Sequence, residues 1–181
     1  MILHETPIER KTLFVGHVFT ARLDKARIGD GSVRDREVVV HPGGVSVLVL
    51  TEADEVLLVR QFRYGPQEVL LELPAGKLEP GEEPFEAAKR EQREETGTTS
   101  SRYVSLGEVY PTPAYDTEVI RLWACRAERW GEQKLDDGEL LEVERVPLQE
   151  AEQMVLRGEI PDAKTQIGIL KAAALVRAGA L

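Results

Sequence analysis

Three glutamates lie close together in the stretch AAKREQREETG, residues 87–97, which otherwise has the composition of a helix. On a helix, residues three or four apart share a face, with Cβ atoms roughly 5–6 Å apart. Glu91 and Glu95 have the i, i+4 spacing, and Glu94 is i+3 from Glu91. The sequence therefore predicts three carboxylates on one side of one helical turn, where like charges repel each other.

Two explanations fit this cluster. In the first it is a solvated acidic face, and Arg90 and Arg93 ease the repulsion. In the second the carboxylates hold a hard cation such as Mg²⁺, which prefers oxygen ligands and usually combines a few carboxylates with water and substrate phosphates. The preceding segment LPAGKLEPGEEP (73–84) favours the second explanation, because a glycine- and proline-rich loop beside a rigid helix is a common place for a binding site.

The elements that position this helix follow from hydrophobic periodicity and turn residues. The helix itself is expected to begin at Pro84 and to end at Gly97, which suits a C-cap. Strands are predicted at 12–23 and 32–42, joined by the turn-rich DKARIGDG, then as a hairpin at 45–63, as a short strand opening 68–84, and at 102–110, 118–126 and 140–146. Two further helices are predicted at roughly 148–157 and 162–178.

This order of elements predicts an α+β fold in which helices flank a mixed sheet. Pro42-Gly43-Gly44 is a natural break, which separates a small N-terminal sheet in residues 1–42 from a larger domain in residues 43–181.

Charge and composition exclude several classes of protein. A net charge of −9 disfavours non-specific binding to nucleic acid, which depends on a basic surface. No apolar run approaches the roughly 20 residues that cross a bilayer, and the first residues, MILHETPIERK, lack the apolar core of a secretory signal. Cys125 is the only cysteine and lies in an apolar, strand-like run, so we expect a buried structural thiol in a reducing compartment, the cytoplasm.

The helix and the loop before it resemble the signature of the Nudix hydrolases, G-x5-E-x7-R-E-U-x-E-E-x-G-U, where U is bulky and apolar. The fixed positions are filled by Gly76, Glu82, Arg90, Glu91, Glu94, Glu95 and Gly97. The two U positions depart from the pattern, because they hold Gln92 and Thr98.

Gln92 lies on the core side of the predicted helix, and its amide would cost roughly 1–3 kcal/mol if it were buried without a partner. We expect its amide to reach a backbone group or the edge of the core, with an effect on stability rather than on chemistry.

This signature, residues 76–98, is called the Nudix box below. Beyond the box, the chain is similar to the ADP-ribose pyrophosphatase branch of that family over roughly residues 12–178. The similar segments are REVVVHPGGVSVLVL, VLLVRQFRYGPQEVLLELPAGKLEPGE and EIPDAKTQIGILKAAAL. The resemblance implies an α/β/α sandwich for the Nudix domain, with a small antiparallel N-terminal β-domain used for dimerisation. A homodimer is therefore expected.

The resemblance also implies roles for individual residues. Glu91 and Glu95 match the principal metal-binding glutamates, Glu94 matches a further ligand, and Ala75 matches a residue whose backbone carbonyl binds the metal. Mg²⁺ is the expected cofactor, with Mn²⁺ as an alternative. Two arginines, Arg36 and Arg63, and one glutamate, Glu118, match residues that contact the substrate. A guanidinium is suited to holding a diphosphate with two hydrogen bonds at once.

The base that activates water in this branch comes from a late loop rather than from the box. KLDDGELLEVERV (134–146) occupies the corresponding place, and Glu139 matches best, with Asp137 as the alternative. Gly138 makes this a turn that can close on a substrate. The segment YPTPAYDTEVI (110–120) departs from the Ser-Pro-Gly-x-Ser-x-Glu of the branch except at Pro113 and Glu118, and Tyr115 could line the substrate pocket or shield the core.

The resemblance implies metal-dependent hydrolysis of a small nucleoside diphosphate compound, giving AMP and ribose 5-phosphate from ADP-ribose. Three alternatives within the class stay open: another nucleotide sugar, a dinucleoside polyphosphate, or a nucleoside triphosphate. Two alternatives lie outside it: a sensor that binds ADP-ribose without turnover, and an interaction module that uses its acidic face.

Overall fold

The computed structural model describes residues 3–181, so the first two residues of the predicted N-terminal segment lie outside it. The chain forms two compact units. One comprises the chain up to Gly43 together with Tyr110–Val119, and the other comprises Gly44–Val109 and Ile120–Leu181.

The first unit is built on a three-stranded antiparallel sheet. Its strands are β1 (Thr6–Val15), β2 (Thr20–Arg27) and β3 (Val33–Val40), in the order β1-β2-β3. The segment 110–119 adds to β3: the Val39 N–H donates to the Tyr115 carbonyl (2.8 Å), and the Thr117 N–H donates to the Val39 carbonyl (3.0 Å). The expected small antiparallel sheet is confirmed.

The expected single strand over 12–23 is wrong, because the chain turns back at Gly16. The Gly16 N–H donates to the Phe19 carbonyl (2.9 Å), and Val15 then pairs with Thr20. Apolar residues continue through this turn, which hides it from a pattern search. The expected turn DKARIGDG is also wrong in its first half, since β2 continues to Arg27 with Asp24 and Ala26 buried, and the chain turns between Ile28 and Ser32.

The second unit is a mixed sheet with helices on both faces. Its elements are β4 (Gly44–Leu50), β5 (Glu55–Arg63), β6 (Glu68–Glu72), β7 (Ala75–Lys77), α1 (Pro84–Thr96), β8 (Thr98–Thr99), β9 (Tyr103–Val109), β10 (Ile120–Arg126), β11 (Arg129–Trp130), β12 (Leu141–Pro147), α2 (Leu148–Leu156) and α3 (Ala163–Arg177). The main sheet has the order β12-β5-β4-β10-β9, with β10 parallel to β4 and the other pairs antiparallel; β6 pairs with β5 and β7 with β4. The expected α+β fold with a mixed sheet is confirmed, although the short strands β7, β8 and β11 were not expected.

The central strand β4 explains how this sheet is filled. All seven of its residues are buried, as is typical of a strand covered on both faces. Leu48 and Leu50 belong to the cluster that includes residues of α2 and α3, whereas Val47 and Val49 belong to the cluster that includes Ala87 and Ala88 of α1. The alternation of the strand thus separates a helix pair on one face from the single helix α1 on the other. Within residues 3–181, no helix is both long and apolar enough to cross a membrane.

Candidate functional site

Two glutamates of α1, Glu91 and Glu95, lie on the buried side of the helix. The helix begins with Pro84 at its first turn and ends at Gly97, whose φ of 66° is left-handed, as expected for a C-cap. Glu91 and Glu95 are buried, with 9% and 1% of their surface exposed. A freely solvated acidic face is therefore wrong for these two residues. Burying carboxylates is costly unless an ion or hydrogen bonds compensate.

Glu95 has one carboxylate oxygen with a partner and one without. Its Oε2 accepts a hydrogen bond from the Ala75 N–H (3.0 Å), whereas its buried Oε1 has no hydrogen-bond partner among residues 3–181. Burial, followed by the charges of Glu91 and Glu139, raises the pKa of Glu95 to about 8. A buried oxygen without a partner, close to other carboxylates, is the environment that a hard cation would satisfy.

Gly76 makes room for Glu91. A Cβ at position 76 would lie 1.8 Å from Oε1 of Glu91, so only glycine allows this loop and this carboxylate to meet. Burial raises the pKa of Glu91 above its ordinary value, and the charges of Glu94 and Glu139 act in the same direction against that of Arg90. The loop and the helix thus meet at a glycine and a carboxylate, both of which the signature includes.

Arg90 joins the loop to the helix through four charge-assisted hydrogen bonds. Its Nε and Nη2 donate to the two carboxylate oxygens of Glu82 (2.9 and 3.0 Å), and its Nη1 donates to Glu91 (2.6 Å) and Glu94 (3.1 Å). These contacts raise the pKa of Arg90 and lower that of Glu82. Among the described residues, no three acidic, histidine or cysteine side chains converge as a ready-made metal site. Two of the three box carboxylates are instead turned onto Arg90.

Glu139 lies within electrostatic reach of the box. Its charge is among the causes that raise the pKa of both Glu91 and Glu95. The loop turns at Gly138, whose φ is 84°, and the Glu139 N–H donates to the Asp136 carbonyl (3.0 Å). Glu139 is therefore near enough for its charge to act on Glu91 and Glu95, and its role as base stays a prediction.

The start of this loop is fixed to the C-terminal end of α1, a contact that the sequence analysis missed. The Lys134 N–H donates to the Glu94 carbonyl (2.9 Å), the Gln133 side-chain amide donates to the Glu95 carbonyl (2.5 Å), and the Gly131 N–H donates to the Gly97 carbonyl (2.7 Å). These bonds satisfy carbonyls that a helix end leaves without partners. A Cβ at position 97 would lie 2.4 Å from the Gly131 carbonyl oxygen, so the glycine serves this contact as well as the cap.

Arg63 does not project freely from the end of β5. Its Nε and Nη2 donate to the two carboxylate oxygens of Glu72 (2.7 and 2.8 Å), and Lys164 of α3 contacts the same carboxylate. The sequence analysis missed Glu72 and Lys164. An acidic residue at the end of the apolar run EVLLEL was the available signal for Glu72, but nothing local connects it with a lysine 92 residues away.

The two other predicted substrate residues belong to the first unit. Arg36 donates to the Glu5 carboxylate through Nε (2.8 Å) and Nη2 (2.6 Å). Glu118 lies 3.4 Å from Nδ1 of His41, and its N–H donates to the Asp116 side chain (2.8 Å). Tyr115 is 54% exposed, so it does not shield a core within that unit. The structure does not group Arg36 and Glu118 with the box residues in one compact unit, and their roles stay predictions.

Gln92 is fully buried, and side chains satisfy its amide. Its Nε2 donates to the hydroxyls of Thr98 and Ser100 (3.0 Å each), and its Oε1 accepts from the Tyr103 hydroxyl (2.6 Å). The expected backbone partner is therefore wrong. The expectation that the amide reaches the edge of the core agrees with the structure, because Ser100 and Tyr103 are only partly buried. The other departing residue, Thr98, is one of the partners, so the two departures from the signature compensate each other.

Cys125 completes this polar cluster. It is fully buried, and its thiol donates to Oε1 of Gln92 (3.6 Å). Burial raises the pKa of the thiol to about 12, which leaves it protonated at neutral pH and unsuited to act as a nucleophile. The expectation of a buried structural cysteine is confirmed.

Comparison with known proteins identifies relatives over most of the chain. The NUDIX domain profile matches residues 40–166. An ADP-ribose pyrophosphatase of Bacillus subtilis is 36% identical over 169 residues, covering 92% of this chain and 91% of the relative. A methanol dehydrogenase activator of Bacillus methanolicus is 31% identical over 170 residues, covering 93% and 92%. The fold matches the crystal structure of an ADP compounds hydrolase with a TM-score of 0.83 at 21% identity, over 98% of this chain and 97% of that one.

Proposed function

This chain belongs to the NUDIX family, and from that premise we propose that it hydrolyses the diphosphate bond of ADP-ribose to AMP and ribose 5-phosphate in the presence of a divalent cation. The observation that carries the proposal is the buried carboxylate pair Glu91 and Glu95, in which Oε1 of Glu95 has no partner among the described residues. The B. subtilis ADP-ribose pyrophosphatase, similar over almost the whole chain, supports the choice of substrate.

The residues proposed to hold the cation are Glu91, Glu94 and Glu95, together with the Ala75 carbonyl. The chemistry of this donor set fits Mg²⁺, with Mn²⁺ as the alternative, because all four are oxygen donors. When bound there, a divalent cation neutralises diphosphate charge and makes a water molecule more acidic. Arg90 holds Glu91 and Glu94 at one end of this set and ties them to the loop through Glu82.

The carboxylate of Glu139 is proposed to take the proton of the attacking water. Its charge contributes to the raised pKa of both buried glutamates, which supports this assignment. Water attacks one phosphorus, the bridging P–O bond breaks, and each product leaves with a terminal phosphate. Asp137, two residues earlier in the same turn, is the alternative base.

Arg63, Arg36 and Glu118 are proposed to contact the substrate. Arg63 carries a guanidinium fixed by Glu72 and only partly exposed, a suitable donor for an anionic diphosphate. Arg36 is partly exposed and could exchange its partner Glu5 for a ligand.

The test is a substrate panel with the products identified. Purified protein is incubated with ADP-ribose, ADP-glucose, a dinucleoside polyphosphate or ATP, with Mg²⁺ or with EDTA, and the products are separated by anion-exchange chromatography. Mg²⁺-dependent formation of AMP and ribose 5-phosphate, with ADP-ribose giving the highest kcat/KM, is the expected result. Running the reaction in ¹⁸O-labelled water shows which phosphorus is attacked. Tight binding of ADP-ribose without products would indicate a sensor instead.

A homodimer formed through the N-terminal sheet is also proposed. Apolar side chains of this sheet and its first turn are exposed, namely Ile8, Leu13, Phe14, Val15, Val18, Phe19 and Val33. Exposed apolar groups in such number usually mark an interface, and a second copy is the proposed occupant. The buried, protonated Cys125 agrees with a cytoplasmic protein, which is the proposed location.

The oligomeric state is tested by replacing Val15, which is 72% exposed. Val15→Asp should convert a dimer into a monomer in sedimentation-velocity experiments at micromolar concentration, because a buried unpaired charge would oppose association. Leu156→Asp, at a 67% exposed position on α2, is the control and should leave the dimer intact. A wild-type protein that sediments as a monomer would refute the dimer.

A further inference from the structure

A cluster of four charged side chains lies where β5, β6 and α3 meet. Glu72 accepts from Arg63 at both carboxylate oxygens (2.7 and 2.8 Å), and Lys164 contacts Oε2 of Glu72. Nζ of Lys164 also lies 3.0 Å from Oδ2 of Asp162. The cluster contains two cations and two anions, so its charges balance within the group.

Burial within this cluster is uneven. The side chain of Glu72 is 2% exposed and that of Lys164 is 10% exposed, whereas that of Arg63 is 39% exposed. Burial alone would raise the pKa of Glu72, but Arg63 and Lys164 outweigh it and hold the pKa below its ordinary value. Glu72 is therefore an ionised, inaccessible carboxylate with Arg63 on its open side.

The bidentate contact with Glu72 leaves one nitrogen of the Arg63 guanidinium available to a ligand. Nε and Nη2 donate to Glu72, while Nη1 makes no hydrogen bond to any residue in the range 3–181. An arginine side chain has several rotatable bonds, and a bidentate carboxylate fixes the plane of its guanidinium. The two bonds to Glu72 therefore determine where Nη1 points.

The same turn of α3 also fixes the residue after Glu72. Asp162 caps the helix by accepting from the Thr165 N–H (2.9 Å), and the Thr165 hydroxyl accepts from the Leu73 N–H (2.8 Å). A Cβ on Gly168 would lie 2.4 Å from Cδ1 of Leu73, so the helix and this strand end are in close contact. Two consecutive residues, Glu72 and Leu73, are thus held by α3 just before the loop that carries Ala75.

We propose that Glu72 is a positioning residue that orients the Arg63 guanidinium toward the substrate diphosphate, and that Lys164 in the segment DAKT (162–165) holds Glu72 for this purpose. The inference rests on the proposed function, because it assigns Arg63 to the diphosphate. It gives the segment EIPDAKTQIG (159–168) a role in the site, although none of its residues touches the substrate in the proposed reaction.

The test is a double-mutant cycle on ADP-ribose hydrolysis with Glu72→Gln, Arg63→Met and the double variant. Glu72→Gln should lower kcat/KM by roughly tenfold, mainly through KM, because Arg63 binds the diphosphate in the substrate as well as in the transition state. In the Arg63→Met background the same change should lower kcat/KM no further. Losses that multiply in the double variant, or a Glu72→Gln effect below about twofold, would overturn the inference.

A matched control separates positioning from a general effect on the sheet. Arg60 of β5 and Glu144 of β12 form another arginine–glutamate pair, with Nη2 and Oε2 2.9 Å apart, but both side chains are exposed. Glu144→Gln should leave kcat and KM unchanged. If Glu72→Gln yields no folded protein, Glu72→Asp replaces it, because it keeps the charge beside Lys164 but is too short to reach both nitrogens of Arg63.

Binding measurements make failure of the inference distinguishable from failure of the proposed function. The cycle is repeated on the Kd of inorganic diphosphate, measured by calorimetry with Mg²⁺. A wild-type protein that binds diphosphate with the expected coupling but does not hydrolyse ADP-ribose refutes the proposed function and supports the positioning role. A protein that hydrolyses ADP-ribose but shows no coupling between Glu72 and Arg63 retains its function and refutes the inference. A protein that does not bind diphosphate also refutes the inference.

Discussion

At the scale of single residues, the site is characterised by a polar atom that the protein itself does not satisfy. Oε1 of Glu95 is buried and, among the described residues, has no donor, whereas Oε2 of the same side chain has one. Most buried polar atoms in folded proteins have a hydrogen-bond partner, so one without a partner needs an explanation. The oxygen without a partner therefore supports the cation site proposed at Glu95.

Glu95→Gln should abolish nearly all Mg²⁺-dependent turnover, with a loss of at least roughly a hundredfold, because an amide replaces a charged metal ligand. The folded state should persist, since an uncharged group at a buried position avoids the desolvation cost of a carboxylate. Steady-state kinetics measures the turnover, and thermal melts measure the rise in Tm on adding Mg²⁺. In the variant, the Mg²⁺-dependent turnover and the rise in Tm should both disappear. Glu86→Gln, on the exposed face of the same helix, is the control that should retain both.

Gln92 leads to a prediction opposite to what the family signature suggests. Gln92→Leu would restore a bulky apolar residue, yet it would remove the partner of Tyr103, Thr98 and Ser100 at once. Buried polar groups without partners are costly, so the variant should be less stable by about 1–3 kcal/mol with kcat little changed. Urea unfolding measures this, with Gln153→Leu at an exposed position of α2 as the comparison. Equal or greater stability of Gln92→Leu would contradict the network.

At the scale of elements, one helix end organises both halves of the site. The C-terminal turn of α1 carries Glu94 and Glu95, and its free carbonyls accept from Lys134 and Gln133 at the start of the Glu139 loop. The same helical turn therefore carries two of the box carboxylates and anchors the loop of the proposed base. A change at this turn should act on chemistry as well as on stability.

Gly97→Ala tests this arrangement. The left-handed φ of 66° alone should cost about 1–2 kcal/mol with a side chain present, and the new Cβ would also collide with the Gly131 carbonyl oxygen. Gly158→Ala is a matched control, because its φ is 76° and nothing lies within 4 Å of its Cβ position. Both variants should lose stability in chemical denaturation, but only Gly97→Ala should also lose kcat. Equal kcat in the two would show that docking of the loop is irrelevant to turnover.

At the scale of the whole molecule, the stability should depend on pH through the buried charge cluster. In the folded state the pKa of Glu72 lies below its ordinary value, because Arg63 and Lys164 outweigh the effect of burial. A carboxylate whose pKa is lower in the folded state stabilises the fold at a pH above its pKa in the unfolded chain. This contribution is lost as the pH falls through its pKa in the folded protein. The difference in Tm between wild type and Glu72→Gln should therefore be largest above pH 4.5 and should shrink as the solution is made more acidic. A difference that is independent of pH in thermal melts would contradict an ionised Glu72.

The sequence predicted those parts of the molecule that depend on local patterns. The placement of Glu91, Glu94 and Glu95 followed from helical spacing, and α1 was expected between the residues where it begins and ends. The turn at Gly16 was missed because apolar residues surround it. The pairing of Glu72 with Lys164 joins distant segments, and no local pattern encodes such a contact.

The parallel pairing of β4 with β10 has a consequence for how this protein is made. During synthesis the ribosome delivers β4, β5, β6 and β7 long before β10, whose last residue is Arg126. Until then the nascent chain carries a strand that is apolar except for Gly44 and Ser46 and has one edge open, the kind of surface that invites association with other chains. Strand pairs between distant segments form late in folding. Nascent chains in which α1 has been synthesised but β10 has not should therefore bind chaperones most.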